Sequence, residues 1–188
     1  MILWLLIGLG FVGSLAFWCR RRVRQEYGQQ VRLSVITVTI VWLVYLGHLT
    51  LTSLAAFLGI WALPINNWVS FWTGSLLIAG GICLYVTGII SFGSWQRING
   101  RLNNHLVTSG IYRWSRNPQN FGWVLCLLGV SIVGQSGFAM LLTALFWIRF
   151  SSYIKEEEHY LEAQFGGEYR QYLQWSHRYF GPPRQGVA

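Results

Sequence analysis

Long stretches without any charged residue alternate along the chain with short stretches that hold all of its charges. No Lys, Arg, Asp or Glu occurs in residues 1–19, 33–96 or 117–148. A helix needs about 20 mainly apolar residues to cross the hydrocarbon core of a bilayer. Each of the three stretches can therefore hold at least one membrane-spanning helix.

Turn-forming residues divide these stretches into individual spans. The first span is predicted within residues 2–18. Proline and asparagine at 64–67 break the second stretch, which places the next two spans within 33–63 and 68–92. A Gly-Gln-Ser-Gly turn at 134–137 splits the last stretch into two short arms. The pattern predicts an all-α integral membrane protein with about five transmembrane helices, of which the last two form a helical hairpin.

Composition supports a membrane protein and excludes two other classes. Of the 188 residues, 53% are hydrophobic and only 11% are charged. A soluble domain carries about 25% charged residues, and a disordered chain needs low hydrophobicity. Eleven Trp residues suit a protein whose rings lie at the two bilayer interfaces. Three scattered cysteines form no disulfide or metal-binding spacing, so no metal is predicted.

The positions of the charges predict an orientation. With five spans, all 14 Lys and Arg residues fall on one side of the membrane or at that side's end of a span. The positive-inside rule then places the N-terminus outside and the C-terminus in the cytoplasm. We predict the inner membrane of a prokaryote. The net charge of +8 favours anionic lipid headgroups over nucleic acid, because no basic stripe lies on a soluble domain. Arg20, Arg21, Arg22 and Arg24 are expected in a short polar loop after the first span, and Arg97 and Arg101 in the loop 93–119.

The polar segment 105–118 ends in a candidate binding site for an anionic group. Pro118 suits the first turn of a helix. The backbone N–H groups of Gln119 and Asn120 would then be free at the positive helix end, just after Arg116 and Asn117. A plain helix start with a snorkelling arginine is the alternative, and the spacing favours neither.

The second polar segment, 155–172, lies on the same side of the membrane because the hairpin returns the chain, so the two segments can meet. Glu157 and Glu158 could accept hydrogen bonds from ribose hydroxyls, an ammonium group or Arg116. The alternative is a solvated first turn of an amphipathic helix. Apolar residues at three- and four-residue steps predict such a helix on the cytoplasmic surface, interrupted at 166–167: Leu161, Phe165, Tyr169 and Tyr172.

Two ionisable residues lie inside predicted spans. Arg149 shares a helix face with Tyr153 and Glu157, and both a functional role and snorkelling remain open for it. His48 is expected to make an interhelical hydrogen bond, since no second histidine lies in a span to complete a haem or metal site.

Residues 105–123 read HLVTSGIYRWSRNPQNFGW. This stretch resembles the "LVTxGxYxxxRHPxYxG" or "RNPxYxG" signature of the isoprenylcysteine carboxyl methyltransferase and phospholipid methyltransferase superfamily of membrane enzymes. Residues 157–172 resemble the superfamily's "EExxLxxxFGxxYxxY" pattern. The order of the two motifs and the hairpin between them also agree, and the resemblance covers residues 105–180.

The resemblance implies a methyltransferase that binds S-adenosylmethionine in a cytoplasmic-side pocket and takes a lipid-like acceptor sideways from the bilayer. Residues 1–92 would be a three-helix membrane region and 93–188 the catalytic half of one structural domain. The implied catalytic residues are Arg116, Asn117 and Glu157. The implied cofactor-binding residues are His105, Leu106, Val107, Gly110, Tyr112, Asn117, Pro118, Glu157 and Glu158.

Three positions depart from the superfamily pattern and leave the acceptor open. Asn117 replaces the histidine of the "RHP" version, as it does in phospholipid methyltransferase relatives. Asn120 stands at a tyrosine position, and Tyr153 stands where many members have an arginine, with Arg149 one turn earlier. Asn120, Arg149 and Tyr153 are therefore candidates for the acceptor side. The "FGxxYxxY" pattern favours isoprenylcysteine-type carboxyl methylation, and the "RNP" variant favours phospholipid amine methylation. An NADPH-dependent enzyme similar to sterol reductases and a non-catalytic lipid-binding protein are further alternatives. The oligomeric state stays open.

Overall fold

The computed structural model describes residues 2–29, 32–93 and 105–184. Arg97 and Arg101 lie outside these ranges. Within the described residues the chain forms one short 3₁₀ turn, Gly110–Arg113, and six α-helices: α1 (Ile2–Gly28), α2 (Val35–Phe57), α3 (Asn67–Phe92), α4 (Pro118–Val133), α5 (Gly137–Phe165) and α6 (Gly167–Trp175).

Four of these helices, α1, α2, α3 and α5, are long and apolar enough to cross a membrane. The shorter apolar helix α4 has 16 residues, which corresponds to about 24 Å at 1.5 Å per residue. The predicted hairpin is confirmed, because α4 and α5 are separated only by residues 134–136.

The first helix is longer than the sequence predicted. Arg20, Arg21, Arg22 and Arg24 were expected in a polar loop, but α1 continues through them to Gly28. Arginine is a good helix former, and Arg22 pairs with Glu26 one turn later at 3.5 Å. The arginine cluster therefore lies on the last turns of a helix.

The two turns predicted on the uncharged side of the membrane lie together and are hydrogen-bonded. Leu63 N donates to Gln135 O at 2.7 Å, and Gly137 N donates to Trp61 O at 2.9 Å. The Ser136 hydroxyl donates to Ile60 O at 2.6 Å. One end of the helix bundle is thus tied by the α2–α3 and α4–α5 connections.

Helices α3 and α4 pack through glycines that face each other. A Cβ at Gly81 would lie 2.6 Å from the carbonyl oxygen of Gly122, and a Cβ at Gly74 would lie 2.7 Å from that of Gly129. The two backbones can approach this closely only because neither side carries a side chain. These contacts position α4 against α3, and the candidate site begins at the start of α4.

The predicted amphipathic segment is interrupted as expected, at Gly166, which has a φ of 54°. Its two halves belong to different helices, since Phe165 ends α5 whereas Tyr169 and Tyr172 lie on α6. Tyr169 and Tyr172 are 1% and 3% exposed. They pack against Tyr112 of the 3₁₀ turn, so this apolar face covers protein and leaves little for a membrane surface.

Candidate functional site

A pocket opens at the charged end of the bundle, where segment 105–117 meets the last turns of α5. Most of the site residues predicted from the sequence line it: His105, Leu106, Val107, Tyr112, Arg116, Asn117, Asn120, Tyr153, Glu157 and Glu158. The two polar segments thus meet, as predicted from the return of the chain through the hairpin.

Three predicted residues lie outside this lining. Gly110 begins the 3₁₀ turn with a φ of 62°, a conformation that favours glycine. Pro118 is buried at the first position of α4, where a Cβ at Gly88 would lie 3.3 Å from its ring. Arg149 lines a different cavity, further from the charged end of the bundle.

The three consecutive glutamates have different surroundings. Glu156 faces the arginines of α1, with Arg20 at 3.7 Å and Arg24 at 4.0 Å. Glu158 binds Arg116 and Arg178. Glu157 lines the pocket, and within the described part of the chain its carboxylate has no hydrogen-bond donor or ion-pair partner. Of the three, it is the one available to a ligand.

Arg116 already has a full set of protein partners. Its Nε and Nη2 atoms each donate to Glu158 Oε1 at 3.2 Å, and its Nη1 atom donates to the Ser176 carbonyl at 2.7 Å. The side chain is only 10% exposed. Its contact with Glu158 is one of those considered from the sequence. This arrangement makes Arg116 a link between segment 105–117, α5 and the C-terminal segment, residues 176–184.

Asn117 is held by the same C-terminal segment. It precedes α4 without capping it through its side chain. Its Nδ2 atom instead donates to the carbonyl oxygen of Arg178 at 3.0 Å, and its backbone N–H donates to the Ser115 hydroxyl at 3.0 Å. The amide side chain is therefore turned toward residues 176–178.

Sequence reasoning missed this C-terminal contribution. Arg178 donates to both carboxylate oxygens of Glu158, at 3.1 Å and 2.6 Å. The hydrogen bond to Glu158 raises the pKa of the Arg178 guanidinium above its ordinary value. No spacing in the sequence distinguishes Arg178 from the other arginines, so only its position in the fold identifies it.

Aromatic rings form much of the pocket wall, and only Tyr112 and Tyr153 among them were named as site residues from the sequence. Tyr27 and Tyr160 are stacked with their ring centroids 4.3 Å apart. The Tyr45 hydroxyl donates to Asn120 Oδ1 at 2.6 Å, which gives this departure from the superfamily pattern a defined partner. The aromatic residues of the lining are Tyr27, Trp42, Tyr45, Tyr85, Phe92, Tyr112, Tyr153, Tyr160, Phe165, Tyr169 and Tyr172.

One buried donor is also free in this region. The Nε2 atom of Gln119, a residue of the lining, is buried and has no hydrogen-bond partner among the described residues. A free carboxylate, a free amide donor and a wall of aromatic rings suit a polar ligand that carries a cationic group, because the faces of aromatic rings attract cations.

Comparison with known proteins identifies the family. The family model described as phospholipid methyltransferase matches residues 68–168, which is more than half of the chain. The chain belongs to the phospholipid methyltransferase family. The match covers nearly all of α3, all of α4 and α5 and the first residues of α6, and therefore the first polar segment and residues 155–168 of the second.

Curated relatives carry a more specific name. The chain is 34% identical to the protein-S-isoprenylcysteine O-methyltransferase of Homo sapiens over 113 residues. This alignment covers 56% of this chain and 39% of that protein. It is 31% identical to the B form of Arabidopsis thaliana, over 57% of this chain and 56% of that protein. The Dictyostelium discoideum protein of the same name is 31% identical over 138 residues, with 60% and 55% covered. The chain thus spans between two fifths and just over half of these relatives. No solved structure matches.

Proposed function

We propose that this member of the phospholipid methyltransferase family is a membrane-embedded methyltransferase that uses S-adenosylmethionine and acts on a lipidic or small hydrophobic acceptor. The observation that carries the proposal is the Glu157 carboxylate, which lines the pocket without a protein partner among the described residues. The names of the isoprenylcysteine O-methyltransferase relatives support the reaction class.

The pocket residues fit the chemical groups of S-adenosylmethionine. Glu157 would accept hydrogen bonds from the ribose hydroxyls or the ammonium group, because hydrogen bonds to an ionised carboxylate are stronger than those between neutral groups. The aromatic wall would stabilise the positive charge of the sulfonium. Gln119 Nε2, buried and unpaired in the described structure, would donate to an acceptor atom of the ligand. Leu106 and Val107 would cover its apolar surface.

When bound, the sulfonium supplies a methyl group that is already activated for in-line displacement. The task of the chain is then to hold and align the two reactants. Arg116 and Asn117 would do this indirectly, by fixing segment 105–117 to residues 176–178. A carboxylate acceptor has no proton to lose, so its methylation would not need a base at Asn117.

Phospholipid amine methylation is the second candidate, favoured by the description of the family model that matches residues 68–168. An amine acceptor must lose a proton. The two candidates differ in product. Methylation of a carboxylate gives a base-labile methyl ester, whereas methylation of a phospholipid amine gives a base-stable methylamine.

We further propose that α4 also crosses the membrane, which brings the number of spans to five. The pocket would then face the cytoplasm of a prokaryotic inner membrane, with the N-terminus outside. Residues 1–92 then form the membrane region and 93–188 the catalytic half of one domain. The positive-inside rule supports this orientation, because the charged residues in the described ranges other than Arg149 lie at the pocket end of the bundle, and Arg149 lies about two helical turns before Glu157.

Binding of radiolabelled S-adenosylmethionine to detergent-purified protein tests the proposal. We expect saturable binding that weakens at least tenfold in Glu157→Gln. Glu156→Gln is the matched control, because Glu156 faces the arginines of α1, and it should bind as the wild type does. Absence of binding in the wild type, unchanged binding in Glu157→Gln, or displacement by NADPH would each overturn the proposal.

A further inference from the structure

A second cavity of about 440 Å³ lies between α1, α2 and α5, further from the charged end of the bundle than the first pocket. Its walls are mainly apolar, with Ala16, Phe17, Val44, Phe146 and Phe150 among them. Val41, Tyr45 and Tyr153 line both cavities. These three side chains therefore form the partition between the first pocket and the second.

The cationic side chains that line this second cavity are Arg20, which pairs with Glu156 at 3.7 Å, and Arg149, which lies beside His48. Arg149 Nη1 lies 3.3 Å from His48 Nε2, and His48 Nδ1 lies 3.0 Å from the Val44 carbonyl oxygen. Because a carbonyl oxygen only accepts, Nδ1 carries the hydrogen, and Nε2 of the neutral ring accepts from Arg149. His48 thus makes the interhelical hydrogen bond expected from the sequence, but it supplies no negative charge.

Arg149 has no counter-charge in the described part of the chain, where no carboxylate lies within ion-pair distance of its guanidinium. A charged side chain is expensive inside a membrane unless it is paired. The fold nevertheless makes space for it, since a Cβ at Gly13 would lie only 3.0 Å from Nη2. The position is built to hold a guanidinium with one face open to the cavity.

Snorkelling does not account for this placement. Gly13, which the guanidinium touches, precedes the first arginine of α1, Arg20, by seven residues. At 1.5 Å per residue this is about 10 Å toward the uncharged end of the bundle. Arg20 pairs with Glu156, which lies seven residues after Arg149 on α5, so the guanidinium lies level with its own position on the helix and does not extend toward the charged interface that a snorkelling arginine would reach.

We infer that the second cavity is the acceptor site and that its ligand is an amphiphile with an anionic group, a carboxylate or a phosphate, paired with Arg149. This inference rests on the proposed methyltransferase function. Tyr45 and Tyr153 of the partition lie within about one helical turn of His48 and Arg149 on α2 and α5. An anion on Arg149 thus lies beside the partition, and the apolar walls accommodate the chain attached to it.

Photo-crosslinking tests the inference on the full chain in phosphatidylcholine nanodiscs, with a 16-carbon fatty acid that carries a diazirine as the probe. We expect crosslinked peptides from the cavity-lining parts of α1, α2 and α5. Palmitate, hexadecyl phosphate and hexadecanol serve as competitors for the wild-type protein. Competition by palmitate alone assigns a carboxylate ligand, and competition by both anions extends the assignment to phosphate. Competition by hexadecanol as strong as that by palmitate overturns the inference.

Arg149→Gln should reduce capture of the probe at least tenfold, and Arg149→Lys should restore part of it. Arg170→Gln is the matched control, because Arg170 is 64% exposed and pairs with Glu162 outside the cavity. Binding of S-adenosylmethionine to Arg149→Gln should stay unchanged, which also reports that this variant is folded. Unchanged capture in Arg149→Gln, or crosslinks only elsewhere, overturns the acceptor site alone. Absence of S-adenosylmethionine binding in the wild type would instead overturn the proposed function.

Discussion

Arg178 Nη2 and Glu158 Oε2 form a hydrogen-bonded ion pair of 2.6 Å between the C-terminal segment and α5. Arg116 approaches the other oxygen of the same carboxylate at 3.2 Å. The Gly181 N–H also donates to the Trp114 carbonyl at 3.0 Å. Glu158 thus holds the C-terminal segment and segment 105–117 together, while the neighbouring Glu157 stays free to face the pocket.

Replacement of Glu158 should loosen this junction. Glu158→Gln removes the charge that accepts from two arginines, and we expect a loss of about 2 kcal/mol in the free energy of unfolding, as for hydrogen bonds to charged groups. Thermal unfolding of the detergent-solubilised protein, followed by circular dichroism, measures the effect.

The matched control is Glu162→Gln. Glu162 lies one turn further along α5, and its pair with Arg170 spans 3.6 Å with side chains 42% and 64% exposed. Exposed pairs contribute about 0–1 kcal/mol, so this variant should unfold close to the wild-type temperature. Equal losses in the two variants would contradict a specific junction at Glu158.

The glycine contacts between α3 and α4 give a second prediction. In Gly81→Ala the new Cβ would meet the Gly122 carbonyl oxygen at 2.6 Å, so the helices must separate. Overpacking of this kind costs about 1–3 kcal/mol. We expect a lower unfolding temperature, measured in detergent, and weaker S-adenosylmethionine binding, because Asn117 directly precedes α4 and Gln119 lies in its first turn.

Gly80 provides the matched control one residue earlier. A Cβ at Gly80 would have no atom within 4 Å, and alanine is the better helix former by about 1 kcal/mol. Gly80→Ala should therefore unfold at or slightly above the wild-type temperature. A loss as large as that of Gly81→Ala would show that the effect comes from the helix itself and not from the contact with α4.

The meeting of the two polar segments could be predicted, whereas their individual partners could not. The hairpin must return the chain, so segment 105–118 and residues 157–158 had to lie at the same end of the bundle. Which glutamate pairs and which stays free depends on the rotation of α5 about its axis, and three consecutive acids carry no periodicity that reveals it. Arg178 was missed for a related reason, since it approaches Glu158 only through the path of the C-terminal segment.

Ser136 should stabilise the uncharged end of the bundle. Its hydroxyl donates to Ile60 O at 2.6 Å and accepts from the Ala139 N–H at 3.2 Å as the N-cap of α5. Ser136→Ala removes both bonds at a fully buried position, and we expect a loss of about 2 kcal/mol by thermal unfolding. Ser14→Ala, which removes one exposed local bond to Gly10 O, should change stability by less than about 0.5 kcal/mol.

The span count and the orientation can be tested together. The α2–α3 and α4–α5 turns are hydrogen-bonded to each other, whereas α4 begins at the pocket. Helix α4 must therefore run between the two ends of the bundle, although its length of about 24 Å is less than the 30 Å of a typical hydrocarbon core.

Single cysteines can be introduced at exposed positions of the two bundle ends, in a variant that lacks Cys19, Cys83 and Cys126. Their labelling shows on which side of the membrane each end lies. In sealed right-side-out vesicles, a membrane-impermeant maleimide should label Ala62→Cys at once and Gln174→Cys only after permeabilisation. The reverse pattern would invert the proposed orientation. Labelling of both positions before permeabilisation would place both ends of the bundle on one side and exclude α4 as a span.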